Sequence, residues 1–282
     1  MNINWYPGHM KKTKESIKKN LSLVDIVYEV IDARIPFSSQ NPEIDGILGR
    51  KSRIIILNKS DLADMESNKK WQDYFGKKGI SSVIVDCINN RGLEEVIKLS
   101  YRLTGERRRH LAKKGIKNRP IRVMIVGVPN VGKSTLINSL SKRKGTKVGN
   151  KPGVTRVNQW IRLKGDLELL DTPGILWPKF EDKEVGLNLA FTGAIKDELL
   201  DIENLAIKLV ERLNAMSKAF IEERYDILVE NKAPHDIILE IGKKRGCIVK
   251  GGEIDFSKAS NIILDEFRKG IIGRITLELP VL

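Results

Sequence analysis

Only two cysteines, Cys87 and Cys247, occur in 282 residues, too few for a disulfide framework or a thiolate-rich zinc site. No apolar run approaches the roughly 18 residues that a membrane-spanning helix needs. The opening Met1-Asn2-Ile3-Asn4-Trp5 is not a signal peptide. These absences make a reducing cytoplasm, with no membrane, the expected setting. No internal repeat is found. What is present is a globular composition, 41% hydrophobic and 30% charged, long enough for one large domain or a catalytic domain with a smaller companion.

Negative charge is scarce in the first 180 residues. Residues 181–282 hold 15 Lys and Arg against 19 Asp and Glu, a net of −4, so residues 1–180 carry +18 of a whole-chain charge of +14. A polyanionic partner, nucleic acid or an anionic membrane surface, is one explanation. A solvated lysine-rich surface is the other.

Short runs rich in Val and Ile at 25–32, 53–58, 82–86 and 121–127 alternate with helical patterns at 65–79 and 92–103. That alternation predicts a buried, mostly parallel sheet with helices on both faces. Residues 160–163 and 167–171 read as a hairpin. Met10 to Val24 reads as a basic amphipathic helix, and Thr104 to Pro120 as an exposed basic connector. Beyond about residue 180 the strands stop. Apolar residues recur at Ile202, Leu205, Leu209, Leu213, Met216 and Phe220, a helical stripe. Two further helices are expected near 234–241 and 257–267. The domains are therefore expected at 1–178 and 179–282, the second small and all-helical. Lys243-Lys244-Arg245 and Arg268-Lys269 lie near predicted helix ends, where dipole compensation and phosphate contact are both open.

Gly127-Val128-Pro129-Asn130-Val131-Gly132-Lys133-Ser134 fits G-x-x-x-x-G-K-S, after an apolar strand and before a helical pattern. Its glycines let backbone N–H groups turn toward phosphate oxygens at a helix N-terminus. Pro129, Asn130, Val131, Gly132, Lys133, Ser134 and Thr135 would wrap the phosphates. Lys133 would neutralise the β and γ groups, and Ser134 would hold Mg²⁺. Asp171-Thr172-Pro173-Gly174 follows the second hairpin strand, so Asp171 is suited to the metal shell and the Gly174 N–H to the γ-phosphate. Thr155, in Pro152-Gly153-Val154-Thr155, is the natural switch threonine, with its hydroxyl on Mg²⁺.

Asn58-Lys59-Ser60-Asp61 follows another apolar strand. A carboxylate at Asp61 can accept from guanine N1 and the exocyclic amine, a pair that adenine lacks. Lys59 would lie along the base, and Asn58 would tie this loop to the phosphate loop. Asp86-Cys87-Ile88 stands where GTPases usually have Ser-Ala-Lys. There Cys87 reads as a packed small residue rather than a reactive thiol.

The motifs run in an unusual order: N-K-S-D and D-C-I precede G-V-P-N-V-G-K-S, P-G-V-T and D-T-P-G. In that order they resemble the circularly permuted GTPases. The opening Trp5-Tyr6-Pro7-Gly8-His9-Met10, the segment Asp32-Ala33-Arg34-Ile35-Pro36-Phe37-Ser38-Ser39-Gln40-Asn41-Pro42, and Ile175-Leu176-Trp177-Pro178 after Gly174 are similar to members that serve bacterial ribosome assembly. The resemblance covers essentially the whole chain. It implies a permuted P-loop GTPase domain that uses GTP or GDP with Mg²⁺. It also implies a monomeric cytoplasmic factor acting late on the large (50S) ribosomal subunit, in contact with ribosomal RNA and ribosomal proteins. The factor would bind in the GTP state and leave on hydrolysis, with the helical tail contributing to RNA contact. A small-subunit assembly GTPase and an RNA-binding scaffold with structural nucleotide are the competing readings.

Ile175 stands where small signalling GTPases place a water-orienting glutamine, so hydrolysis is expected to be slow until the subunit stimulates it. The missing group has three candidate sources. Asn130 in similar GTPases coordinates K⁺ beside the phosphates. His9 could be brought to the γ-phosphate on ribosome binding, or could simply follow the Pro7-Gly8 turn. Ribosomal RNA is the third.

Overall fold

The computed structural model describes Glu15 and residues 17–116, 119–141, 160–170 and 182–280. His9, Thr155, Asp171, Gly174 and Ile175 lie outside the described residues, as do residues 10–14 and 16 of the expected N-terminal basic helix, of which residues 17–20 are helical and Leu21–Leu23 form a 3-10 turn. The described chain forms two compact units, one of residues 15–170 with 276–280, the other of residues 182–275.

In the first unit, β1 (Ile26–Asp32), β2 (Ser52–Asn58), β3 (Ser81–Ile84), β4 (Ile121–Val126), β5 (Trp160–Leu163) and β6 (Leu167–Leu170) make one sheet in the order β3-β2-β1-β4-β6-β5. Every pairing is parallel except that of the hairpin β5–β6. β1 is central and all seven of its residues are buried, as expected for a strand covered on both faces. The register sets Val27 beside Arg53 and Met124, and Ile31 beside Leu57.

Val27, Met124, Val126 and Leu170 therefore share one face, where they pack with Ile17, Val24 and the short helix α1 (Ile44–Leu48). On the same face Ile31, Ile55 and Leu57 meet Trp71 and Phe75 of α2 (Met65–Lys77). α3 (Leu93–Leu103) lies against the other face, and its Ser100 hydroxyl lies 2.6 Å from the Tyr28 hydroxyl. Each Val, Leu, Ile, Met or Phe side chain of these clusters taken fully out of water contributes about 1.5–3 kcal/mol. Glu29 breaks the apolar rule of β1. It is buried beside Arg53 at 2.9 Å, and burial pushes its carboxyl up to about 7, against the opposing pull of Arg53.

The basic connector is exposed as expected, and within it residues Gly105–Lys113 form a helix, α4, with no buried residue. After β4 comes α5 (Lys133–Leu140).

The second unit contains α6 (Lys183–Phe191), α7 (Ile202–Met216), α8 (Ala219–Tyr225), α9 (Pro234–Lys244) and α10 (Phe256–Arg268). Aspartates start three of these helices. Asp182, Asp201 and Asp255 accept from the N–H of Glu184, Asn204 and Lys258 at 2.8, 3.1 and 2.9 Å, satisfying donors that a helix start leaves free. Leu205, Leu209 and Leu213 are buried, but the stripe stops where Ser217 turns extended, so Phe220 belongs to the next helix and Met216 is exposed.

The basic clusters at the helix ends are largely paired within this unit. Lys244 meets Asp226, Arg245 meets Glu266, Lys269 meets Asp265, and Arg268 holds Asp197 and the carbonyls of Ala190 and Phe191. One assignment changes: Thr276 to Pro280, expected in the helical tail, pack with the first unit. Residue spacing carries no signal of that return.

Candidate functional site

Because β1, β2 and β4 are parallel neighbours, the segments that follow them leave the sheet at the same edge. That edge gathers 33–40, Asn58-Lys59-Ser60-Asp61 and Gly127 to Lys133, which are far apart in sequence.

The loop after β4 approaches its neighbours so closely that side chains are excluded. At Gly127 a Cβ would lie 2.3 Å from the Val30 carbonyl oxygen, and at Gly132, with φ +93°, it would lie 2.2 Å from Asn58 Nδ2. Lys133 opens α5 and folds back, donating from Nζ to the carbonyls of Gly127 at 3.0 Å and Val128 at 2.5 Å. Burial lowers its ammonium to about 8, the response of a cation short of anionic neighbours. Ser134 and Thr135 are exposed on the first turn of α5, and Asn130 is exposed in the loop with φ +60°. A backbone cradle, an ammonium and a hydroxyl at a helix start suit the phosphates of a nucleotide and the Mg²⁺ they carry.

Asn58 joins three segments. Its Nδ2 donates to the Val131 carbonyl at 2.7 Å, while its Oδ1 accepts from the Cys87 N–H at 3.4 Å. Ser60 N–H donates to the Val85 carbonyl at 3.2 Å, and Asp61 is half-buried beside it. Asp86 closes the Asp86–Arg91 bridge after β3. The Cys87 carbonyl accepts from Ser139 of α5 at 2.9 Å. Burial, with Asp86 and Asp61 adding to it, pushes the Cys87 thiol up to about 12, so it is a packed residue held as the protonated thiol at neutral pH.

Two groups beside this edge, Asp32 and Arg34, have no role in the sequence reading, yet they engage Lys59, which has one. Lys59, at φ +59°, places Nζ 2.9 Å from Asp32 Oδ2. Arg34, only 1% exposed, grips the same carboxylate through Nε at 2.9 Å and Nη2 at 2.8 Å. Burial alone would raise Asp32; the Arg34 and Lys59 cations outweigh it and hold the carboxyl well below the usual range. The returning tail meets the same segment. Leu277 N–H donates to the Arg34 carbonyl at 2.8 Å, Asp64 N–H to the Thr276 hydroxyl at 3.1 Å, and Trp71 Nε1 to the Glu278 carbonyl at 2.9 Å. The Asp32-Ala33-Arg34 string is visible in the sequence, but its partner lies at the far end of the chain.

The geometry thus brings Asn58, Lys59, Ser60, Asp61, Cys87 and the Gly127–Thr135 loop to one edge. A family model described as 50S ribosome-binding GTPase matches residues 122–240, starting in β4. The ribosome biogenesis GTPase A of Bacillus licheniformis is 46% identical over 283 residues, 99% of this chain and 99% of the relative. A GDP-bound structure of YlqF has a TM-score of 0.67 at 30% identity, covering 94% of this chain and 99% of that one. A GNP-bound YlqF from T. maritima gives 0.65 at 29%, covering 95% and 98%.

Proposed function

Because the chain belongs to the ribosome biogenesis GTPase A family and is a GTPase of ribosome assembly, we propose that it acts late in maturation of the large (50S) subunit. It binds there in the GTP state and leaves when GTP is hydrolysed. The observation that carries this reading is the Asn58–Val131 hydrogen bond at 2.7 Å, which makes one site of a base loop and a phosphate loop that stand in reversed order. The family description, 50S ribosome-binding GTPase, supports the large subunit over the small, and the +18 charge of residues 1–180 supports contact with ribosomal RNA.

In this reading Asp61 accepts from guanine, Lys59 lies along the base, and Lys133 meets the β and γ phosphates. Ser134, Thr155 and Asp171 hold Mg²⁺, whose charge offsets that of the phosphates. The Gly174 N–H reports the γ-phosphate. Ile175 cannot orient water, so turnover is slow alone and is stimulated on the subunit, by K⁺ held at Asn130, by His9 or by RNA. The factor is a cytoplasmic monomer whose helical unit also contacts ribosomal RNA and proteins.

Sedimentation with separated ribosomal subunits, in GDP and in a non-hydrolysable GTP analogue, tests this. Cosedimentation with the large subunit in the GTP-analogue state is expected. Preference for the small subunit, or for neither, would overturn it.

A further inference from the structure

The end of the sheet opposite the nucleotide edge holds an unexplained concentration of cations. A cleft of about 330 Å³ opens there beside the first residue of β2, and Arg50, Lys51 and Arg107 line it, with Asp25 its one carboxylate. Asp25 is already engaged. Its Oδ2 accepts from Arg122 N–H at 2.9 Å, and its Oδ1 lies 3.0 Å from Arg107 Nε and 3.6 Å from Arg119. Lys51 donates to the Val24 carbonyl at 2.9 Å. Burial, and then the charge of Arg107, depress its ammonium below the ordinary lysine value, with Asp25 pulling the other way. The cleft therefore has a positive potential that its own carboxylate does not cancel.

α4 forms one wall, and it is an odd helix. It has nine residues, none buried, and an isolated helix below about 12–15 residues is marginal in water. Helices of this size normally bury an apolar stripe. Instead α4 is held by Arg107 on Asp25 and by Arg108 stacked 4.5 Å from the Tyr101 ring centre. Arg109 and Lys113, with Lys114 just beyond, are exposed. Among the described residues no carboxylate pairs with any of these three, or with Arg50. Leu111 and Ile116 are the only large apolar side chains between 105 and 116, which is too few to insert into a lipid interface. Guanidinium groups beside a polar cleft fit phosphate oxygens, which they can bind through two hydrogen bonds.

We propose that the Arg50–Lys51–Arg107 cleft and the exposed cations of α4 form a docking surface for the phosphate backbone of structured RNA. The proposal rests on the ribosome-assembly reading above and gives it a specific face. The surface lies at the amino ends of β1, β2 and β4, whereas the nucleotide loops follow their carboxyl ends. RNA held there leaves the phosphate loop open to nucleotide exchange.

The test uses the full chain carrying Arg50→Glu, Arg109→Glu and Lys113→Glu together, which spares Arg107 and its buried partner. Binding of a 20-base-pair RNA duplex is read by fluorescence anisotropy over a salt series, with GDP titration as the check on folding. The triple variant is expected to bind duplex at least tenfold more weakly, with the log–log salt slope reduced by roughly 2–3 and GDP affinity unchanged. Unaltered duplex affinity and slope would overturn the proposal. So would wild-type binding to vesicles of anionic phospholipid without binding to duplex. Sedimentation separates the two readings: wild-type protein that binds duplex in the expected way but no large subunit sinks the assembly role alone. Wild-type and variant that sediment equally with the large subunit sink the cleft alone.

Discussion

The carboxylate of Glu278 accepts the backbone N–H of Phe37 at 2.8 Å, across 241 positions of sequence. The same carboxylate receives the Ser38 N–H at 3.0 Å and the Ser38 hydroxyl. Lys59 of the base-reading loop thus rests on a chain: Glu278 holds 37–38, Leu277 holds Arg34, Arg34 holds Asp32, and Asp32 holds Lys59.

Glu278→Ala removes a charged acceptor from two main-chain donors and a hydroxyl. Hydrogen bonds to charged groups contribute about 1.5–3 kcal/mol each, less here because the Phe37 bond is exposed and the Ser38 bonds are only partly buried. A loss of roughly 2 kcal/mol in chemical denaturation is expected, with GDP binding several-fold weaker and Glu278→Gln intermediate. Wild-type GDP affinity in Glu278→Ala would show that the tail does not support the base loop.

Gly132→Ala puts a Cβ 2.2 Å from Asn58 Nδ2 at a φ of +93°, where side chains are strained. The expected result is rupture of the Asn58–Val131 bond and at least tenfold weaker guanine-nucleotide affinity, measured by titration calorimetry, with the circular dichroism spectrum retained. Asn58→Ala, which removes the obstacle and the bond together, should not restore binding to Gly132→Ala.

Lys133 carries a lowered pKa of about 8, and phosphate oxygens beside it would raise that value. Nucleotide binding near pH 8 should therefore take up a fraction of a proton, seen as a dependence of the calorimetric enthalpy on the buffer's ionisation enthalpy. Affinity should fall as pH rises through 8. Lys133→Ala should abolish both effects.

Glu29 has a folded pKa of about 7 against an ordinary 4.5. Its ionisation therefore opposes folding: the relative stability it allows is fully present below 4.5 and lost as pH rises through 7. The difference is on the order of 3 kcal/mol. Unfolding free energies of Glu29→Gln between pH 4.5 and 8 should vary less with pH than those of wild type. A parallel pair of curves would place the titration elsewhere.

The parallel core and both nucleotide loops are legible in the sequence because each is a local pattern: an apolar run of strand length, then a glycine- or aspartate-bearing turn. Asn58 is legible for the same reason. The break at Ser217 is not, since the apolar spacing from Leu213 to Phe220 continues through it and only the backbone turns. α4 is missed because it lacks the apolar stripe by which helices are recognised. The Asp32–Arg34–Lys59 cluster and its tail depend on which loops the parallel sheet sets side by side, a relationship that no window of neighbouring residues contains.

The Glu278–Phe37 contact also orders events in time. Bringing together groups 241 positions apart has a chain-closure cost of about 5 kcal/mol unless the intervening segment is already compact. During synthesis it cannot form until the whole helical unit has been made. The support beneath Lys59 is therefore among the last parts of the nucleotide-binding unit to be set, so a nascent chain should acquire its phosphate loop well before it acquires firm hold of the base.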